Sequence, residues 1–323
     1  MSAPLGAPSR LAVLATGALA MIGFAANSIL CRLALRFDRI DPAGFTAVRL
    51  ASGTIALWGL VFLFGRSSRG SRRAGGSRLS GGSRRSSRAA ASPSGSSWIS
   101  GLLLFAYAFA FSLAYRSLSV GTGALILFGA VQVTMIAAGL LSGERPHWLQ
   151  WVGLAAATAG LLYLVSPGIS APRLGGAVLM AIAGHAWGIY SLRGRRNAEP
   201  LRATAGNFLR SVPFVLAACV PLASRLRFDL DGIALATASG ALASGLGYVS
   251  WYAALRGLRA MQAAAVQLSV PVLAAAGGVL LLAERPSVRL LASSAAILGG
   301  LGLALWDRVQ TTTRPGTGKM KRS

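Results

Sequence analysis

Ten stretches of roughly twenty apolar residues dominate this chain, and a helix of that length is what a bilayer's hydrocarbon core requires. They fall at about 11–31, 44–64, 98–115, 120–142, 148–166, 175–193, 204–223, 233–254, 260–282 and 288–306. In lipid every backbone N–H and C=O must bond internally, so such a chain folds as helices or as a closed barrel. No run alternates apolar and polar residues with a strand's period, which leaves helices. Most connections are only a few residues long, so neighbouring helices form antiparallel hairpins.

The second constraint is an internal echo. Glu144-Arg145-Pro146 recurs as Glu284-Arg285-Pro286, and the match extends outward without a gap. Ala114 pairs with Ala254, Arg116 with Arg256, Leu118 with Leu258, Ala124 with Ala264, Leu140 with Leu280 and Gly160 with Gly300. The chain therefore holds two copies of one membrane unit of five helices each. Five is odd, so the second copy must be inverted, a common way to build a secondary transporter.

Composition agrees. Apolar residues make up 54% of the chain and charged ones 12%, about half the usual share in a soluble domain. The charge is lopsided, with 32 Lys plus Arg against 8 acids. No basic stripe is interleaved with aromatics on a folded element, so nucleic acid is not an expected partner. The arginines instead sit between apolar blocks, where orientation in the membrane is decided. With the N-terminus inside, the inner loops and tails carry 21 Lys plus Arg and the outer loops nine, which places both termini in the cytoplasm. Arg10 and the apolar run behind it resemble a signal peptide, but the run continues to Leu30 and nine spans follow, so an uncleaved first helix is expected.

These counts divide the chain into residues 1–65 and 98–167 as the first repeat and 168–309 as the second. Residues 66–97 are nearly all Ser, Arg, Gly and Ala with eight arginines, a composition expected to form a disordered cytoplasmic loop. It is read as a solvated insertion that reinforces orientation, the alternative being contact with anionic headgroups. Residues 310–323 form a basic cytoplasmic tail.

The opening Phe24-Ala25-Ala26-Asn27 has a counterpart in Trp187-Gly188, arginines lie mid-helix at 49 and 210, and the block from Ala264 to Glu284 closes the second repeat. With ten spans and two repeats, these features resemble the EamA-type branch of the drug/metabolite transporter superfamily. The resemblance covers nearly all the chain outside residues 66–97 and the tails. It implies two five-helix bundles around a central cavity, and transport, often export, of small metabolites such as amino acids. The first copy departs from the second in having Val131 where the second has Pro271.

Enzymatic machinery is not expected. There is no phosphate-binding GxxxxGK[ST] loop, no Cys/His cluster with metal-ligand spacing, and no cofactor or metal is expected. Cys31 and Cys219 are read as unpaired thiols rather than a disulfide. Every acid falls at a loop or helix end, so no carboxylate stands mid-span where proton relays place one. Glu144 and Glu284, each before Arg-Pro, are read as stabilising their hairpins at a positive helix start. Arg49 and Arg210 are read as scaffold, tied to carbonyls or snorkelling, the alternative being attraction of an anionic substrate group. Trp148, Trp151 and Trp306 read as interfacial anchors.

Aromatic and amide groups are the better pore candidates. Tyr248, Trp251 and Tyr252 share a face of the eighth helix, and Tyr107, Phe111 and Tyr115 form a stripe on the third, with Phe111 aligned to Trp251 in the repeat. Ser239, Gly240, Ser244, Gly245 and Gly247 would let the eighth helix pack closely. Of the amides and rings, the candidate substrate-binding set is Asn27, Tyr107, Phe111, Gln132, Trp187, Tyr190, Tyr248, Trp251 and Gln267, with His185 and Gln262 as further polar groups.

The expectation is an all-α polytopic protein of ten transmembrane helices in two inverted five-helix repeats. It would sit multi-pass in the plasma membrane and export a small polar or amphipathic metabolite. Rival readings are a membrane-embedded enzyme acting on lipid and a non-transporting scaffold. The partners expected are a small-molecule substrate and the lipid bilayer, and a homodimer is open to such a fold. The arginine count makes one direct prediction. In a variant carrying Ser80→Cys with Cys31 and Cys219 replaced by serine, an impermeant thiol reagent added to intact cells should leave residue 80 unlabelled. Ready labelling from outside would reverse the topology.

Overall fold

A computed structural model describes residues 10–74, 96–143, 148–168, 171–194, 199–255 and 266–313. Its elements are helices: α1 Arg10–Arg36, α2 Pro42–Ala74, α3 Trp98–Tyr115, α4 Val120–Leu141 and α5 Trp148–Val165 form the first half. The second half holds α6 Leu174–Gly194 and α7 Pro200–Cys219, the latter running into a 3-10 turn, Val220–Arg225. α8 follows in three pieces, an α-helix Leu230–Thr237, a π-helix Ala238–Leu246 and an α-helix Gly247–Leu255. α9 Ser269–Leu282 and α10 Val288–Thr313 complete it. Ten apolar helices stand where ten spans were expected, eight of them full crossings within the described residues. For α9 the described helix begins at Ser269, and residues 256–265, with Gln262, lie outside the described residues. So do Glu144 to His147, the segment 75–95 and the tail beyond 313, while the backbone of α2 continues to Ala74.

Local chemistry sets the helix starts. Asp41 accepts from the N–H groups of Ala43 and Gly44 at 2.9 Å each, Ser97 from Ser100, Ser119 from Thr122 and Ser287 from Leu290. Each carboxylate or hydroxyl oxygen satisfies N–H groups that a helix's first turn leaves unpaired. Pro200 opens α7, where its missing N–H costs nothing. Three helix C-termini use arginine. Arg32 donates to the carbonyls of Tyr115 (2.7 Å) and Arg116 at the end of α3, Arg36 to Leu282 (2.6 Å) at the end of α9, and Arg289 to Ser166 just past α5. Cations are stabilised there by the last carbonyls and the helix dipole. These arginines belong to the loops counted as outer, so much of the charge that runs against the positive-inside bias serves as helix caps.

Contacts between helices reveal a twofold relation. α2 packs on α7, α4 on α9 and α5 on α10, so each of these helices meets its own repeat partner. α3 packs on α6 and α7 just as α8 packs on α1 and α2, and α4 meets α6 as α9 meets α1. At the α5–α10 crossing the repeat-related glycines both serve close approach. A Cβ on Gly160 would stand 2.8 Å from that of Ala296, and one on Gly300 would stand 2.5 Å from the carbonyl oxygen of Gly153. The inversion shows in the loops. The α1–α2 loop pairs with the α7–α8 loop through an antiparallel bridge between Ile40 and Phe228. It therefore meets the second copy's 7–8 connection rather than its own counterpart, the 6–7 connection.

That bridged end is held by charge as well. Arg39 pairs with Asp231, and Asp41 accepts from the Arg227 N–H at 3.0 Å. Glu284 pairs with Arg32 at 3.3 Å and accepts from the Val120 N–H, the first residue of α4, at 2.8 Å. Glu284 thus caps a helix of the opposite repeat, a longer-range tie than the hairpin role read from sequence. Cys31 and Cys219 are both free. Outward faces carry Ile55, Leu141 and Leu280, and Trp148 and Trp151 are exposed beside them.

The small residues of α8 do allow close packing. A Cβ on Gly240 would overlap the Arg49 carbonyl oxygen and the Ser52 hydroxyl, whereas one on Gly59, on the same helix as those two residues, meets nothing within 4 Å. Gly240→Val should therefore lower the thermal unfolding midpoint in detergent by an amount equivalent to about 1–3 kcal/mol, as core overpacking does. Gly59→Val should leave it near the parent value. Equal midpoints for the two variants would contradict this packing.

Candidate functional site

Arg49 lies seven residues past the start of α2, about 10 Å along its axis, and is 1% exposed. Its Nη2 donates to the Tyr107 hydroxyl at 3.1 Å and its Nε to the Ser244 hydroxyl at 3.4 Å. The guanidinium carbon stands 5.2 Å from the ring centres of both Tyr107 and Phe111, within range of cation–π attraction. With its amide oriented so that both ends bond, Asn27 accepts from Arg49 Nη2 at 3.2 Å and from Ser244, and donates to the Ser239 hydroxyl at 2.6 Å. Arg49 Nη1 is buried without a partner.

The π-helix of α8 makes this network possible. Ser239 and Ser244 are five residues apart, which on an α-helix would set them about 140° apart. In the wider winding of a π-helix, residues five apart fall much closer to one face, so both hydroxyls meet the single amide of Asn27. Gly240, between them, admits the α2 backbone.

Around this polar centre stands an aromatic box. Trp187 of α6 is its hub, with ring centres 5.0 Å from Tyr107, 5.1 Å from Tyr248, 5.6 Å from Tyr190 and 6.1 Å from Phe24. Phe24 of α1 also meets Tyr248 and Trp251, and Phe208 of α7 closes on Tyr248. A narrow cavity of about 10 Å³ is lined by Phe24, Asn27, Ser28, Tyr107, Phe111, Leu127, Phe128, Trp187 and Tyr248. That is room for one water molecule, so the box is closed in this conformation.

Five of the nine candidate residues read from sequence line the cavity: Asn27, Tyr107, Phe111, Trp187 and Tyr248. Trp251 packs against Phe24 off the cavity wall, and Tyr190 stacks behind Trp187, where its hydroxyl accepts from Asn207 at 3.4 Å. Gln132 and Gln267 are buried but do not line it, and each has a polar atom without a partner. His185 bonds to Thr134 at 2.6 Å, away from the box. α3 and α8 do not enclose the space by themselves; α1 and α6 stand between them. Sequence reasoning ranked Arg49 as scaffold, counted Ser239 and Ser244 only as small residues, and passed over Phe208 and Phe128. A signal for part of this existed: Phe24 and Asn27 are three apart on one helix face, and Trp187 and Tyr190 repeat that spacing. Among the described residues, no group of three His, Cys, Asp or Glu could hold a metal.

The EamA-like transporter family matches the chain twice, at residues 11–166 and 174–306. An uncharacterised protein of Pseudomonas aeruginosa is 48% identical over 309 residues, covering 96% of this chain and 99% of that one. An uncharacterised transporter of Archaeoglobus fulgidus is 31% identical over 219 residues, 62% of this chain and 73% of the relative. A solved crystal structure aligns with a TM-score of 0.59 at 18% identity, covering 92% of this chain and 98% of the other, and so shares the fold. A membrane protein of ten helices in two copies, matched by the family across both, this chain belongs to the EamA-like transporter family.

Proposed function

We propose that the chain is a secondary transporter that exports a small amphipathic metabolite, such as an amino acid, from the cytoplasm. It would act in the plasma membrane with both termini inside. The observation that carries this is the closed cavity lined by α1, α3, α4, α6 and α8, walled mostly by rings and apolar side chains with Asn27 and Ser28 among them. Ligand sites combine apolar walls with a few placed polar groups, and repeat transporters put theirs where the repeats meet. Catalysis plays no part in this reading, since carriage needs binding and reorientation only.

In this orientation the bridged end faces outside and is shut. Release outward then requires Arg32 to separate from Glu284, and Arg39 from Asp231, as the repeats move against one another. The Arg39–Asp231 pair is exposed and costs little to break, whereas the Arg32 and Glu284 side chains are only 16% and 13% exposed, so their separation has to be offset by the binding energy of a solute. The ties of Arg32 and Glu284 to backbone carbonyl and N–H groups restore the shut state.

Cells producing the chain should enrich one class of small solute in their medium, relative to cells lacking it, in a metabolite profile. In inverted vesicles from those cells, Trp187→Ala should raise the half-saturation concentration about 10- to 100-fold, the loss of one buried ring contact. The exposed Trp148→Ala should not change it. Equal effects of both substitutions would remove the box from the transport path, and unchanged media would favour a scaffold.

A further inference from the structure

Arg49 carries a permanent charge inside the bundle, and among the described residues no carboxylate pairs with it. Among the described residues, Asp38, Asp41, Glu199, Asp231 and Glu284 are engaged at the ends of the bundle, and Asp229 also lies there, before α8. The groups that do hold Arg49 are neutral: two hydroxyls, one amide and two ring faces. They fix the plane of the guanidinium and leave both N–H groups of Nη1 without an acceptor. A scaffolding arginine would be satisfied, and the repeat counterpart is. Arg210 donates to the Ser96 hydroxyl at 2.8 Å and to the Gly206 carbonyl of its own helix at 3.1 Å, and is only half-buried.

Arg49 is not itself among the residues lining the cavity but stands directly behind three that are. Asn27, Tyr107 and Phe111, which touch the guanidinium, all line the cavity. Cation, amide and rings therefore form one contiguous group, and a solute with an apolar body and one carboxylate that parts the Asn27 and Tyr107 wall finds both complements.

Resting on the transport reading above, we infer that Arg49 Nη1 is the anion-binding point of the site and that the transported solutes carry a carboxylate beside an apolar body. The uncompensated cation and its two open N–H groups are filled when the solute enters, so the charge the fold leaves unpaired is paired by the cargo. Guanidinium and carboxylate match in geometry, and charge-assisted bonds of this kind exceed neutral ones in strength. Tyr107, Asn27 and Ser244 hold the guanidinium in place beforehand, so little ordering remains to be done on binding.

The test uses the purified full-length protein in detergent and three probes of one shape, phenylacetate, phenylacetamide and phenethylamine; of the seven tryptophans, Trp187 is read through the part of the fluorescence change that Trp187→Phe removes. Phenylacetate should bind about tenfold or more tighter than the isosteric amide, and phenethylamine weakest, because it brings a second cation. Arg49→Gln should abolish the preference of acid over amide, Arg49→Lys should keep part of it, and Arg210→Gln should keep it all. Should Arg49→Gln not fold, the acid-to-amide ratio of the parent and of Arg49→Lys decides the matter alone. Equal binding of acid and amide by the parent overturns the anion site while leaving the box as a binding site. Loss of the preference in Arg210→Gln to the same degree overturns it too. Quenching by none of the three at millimolar concentration removes the box itself, and the anion site with it.

Discussion

A guanidinium keeps its proton at any physiological pH, and burying one in a membrane protein costs at least about 2.5–3.5 kcal/mol unless its N–H groups are met. Among the described residues Arg49 is the largest side chain that is fully buried, and the centre of the bundle is arranged around it. Asn27 of α1, Tyr107 of α3 and Ser244 of α8 each supply an acceptor. α8 departs from α-helical winding over nine residues where it passes, and that departure turns Ser239 and Ser244 toward the same amide. Gly240 lets the backbone carrying Arg49 come close enough for these bonds to form. The π-helix, the small residues and the polar triad together accommodate one buried charge.

The two repeats share a scaffold and divide the work. The twofold pattern of helix contacts treats both copies alike, as the glycine pair at the α5–α10 crossing does. The chemistry does not. Asn27 in the first copy is matched by Tyr190 in the second, and where the first copy buries Arg49 behind aromatic faces, the second leaves Arg210 half-buried near the start of α3, bonded to Ser96. Duplication supplies the architecture, and divergence at a few positions gives one buried polar centre in place of two. A single centre suits a carrier, which has to present one site to each side in turn.

Much of the fold was legible in the sequence, because lipid leaves few choices. Apolar runs of bilayer length located the helices, and the echo around Glu144 and Glu284 located the two copies. The site was legible in part. Helical spacing found the Tyr107–Phe111 stripe and Tyr248, but it assumed uniform α winding through residues 238–246. Nothing in a run of Ala, Ser, Gly and Leu marks a π stretch, since its cause, the approach of α2, lies almost two hundred residues away. Gln132 and Gln267 drew attention as amides, yet polarity alone does not say which side of a helix faces a cavity. Arg49 was judged by its recurrence as Arg210, and only tertiary contacts separate a satisfied arginine from one with an open edge. Long-range partners such as Val120 for Glu284 were out of reach for the same reason.

The account as a whole holds that the closed box is a carrier's site, which opens to one side at a time and moves its solute by reorientation. Counterflow tests this most directly. Proteoliposomes holding the purified chain are preloaded with an excess of the unlabelled exported solute, diluted, and given a trace of the same solute in labelled form. An alternating carrier must return inward with labelled solute while unlabelled solute leaves, so label should rise transiently above its final level and then decline. A steady rise to equilibrium without overshoot would mean an open pathway, absence of entry would mean no transport, and either result would contradict the account.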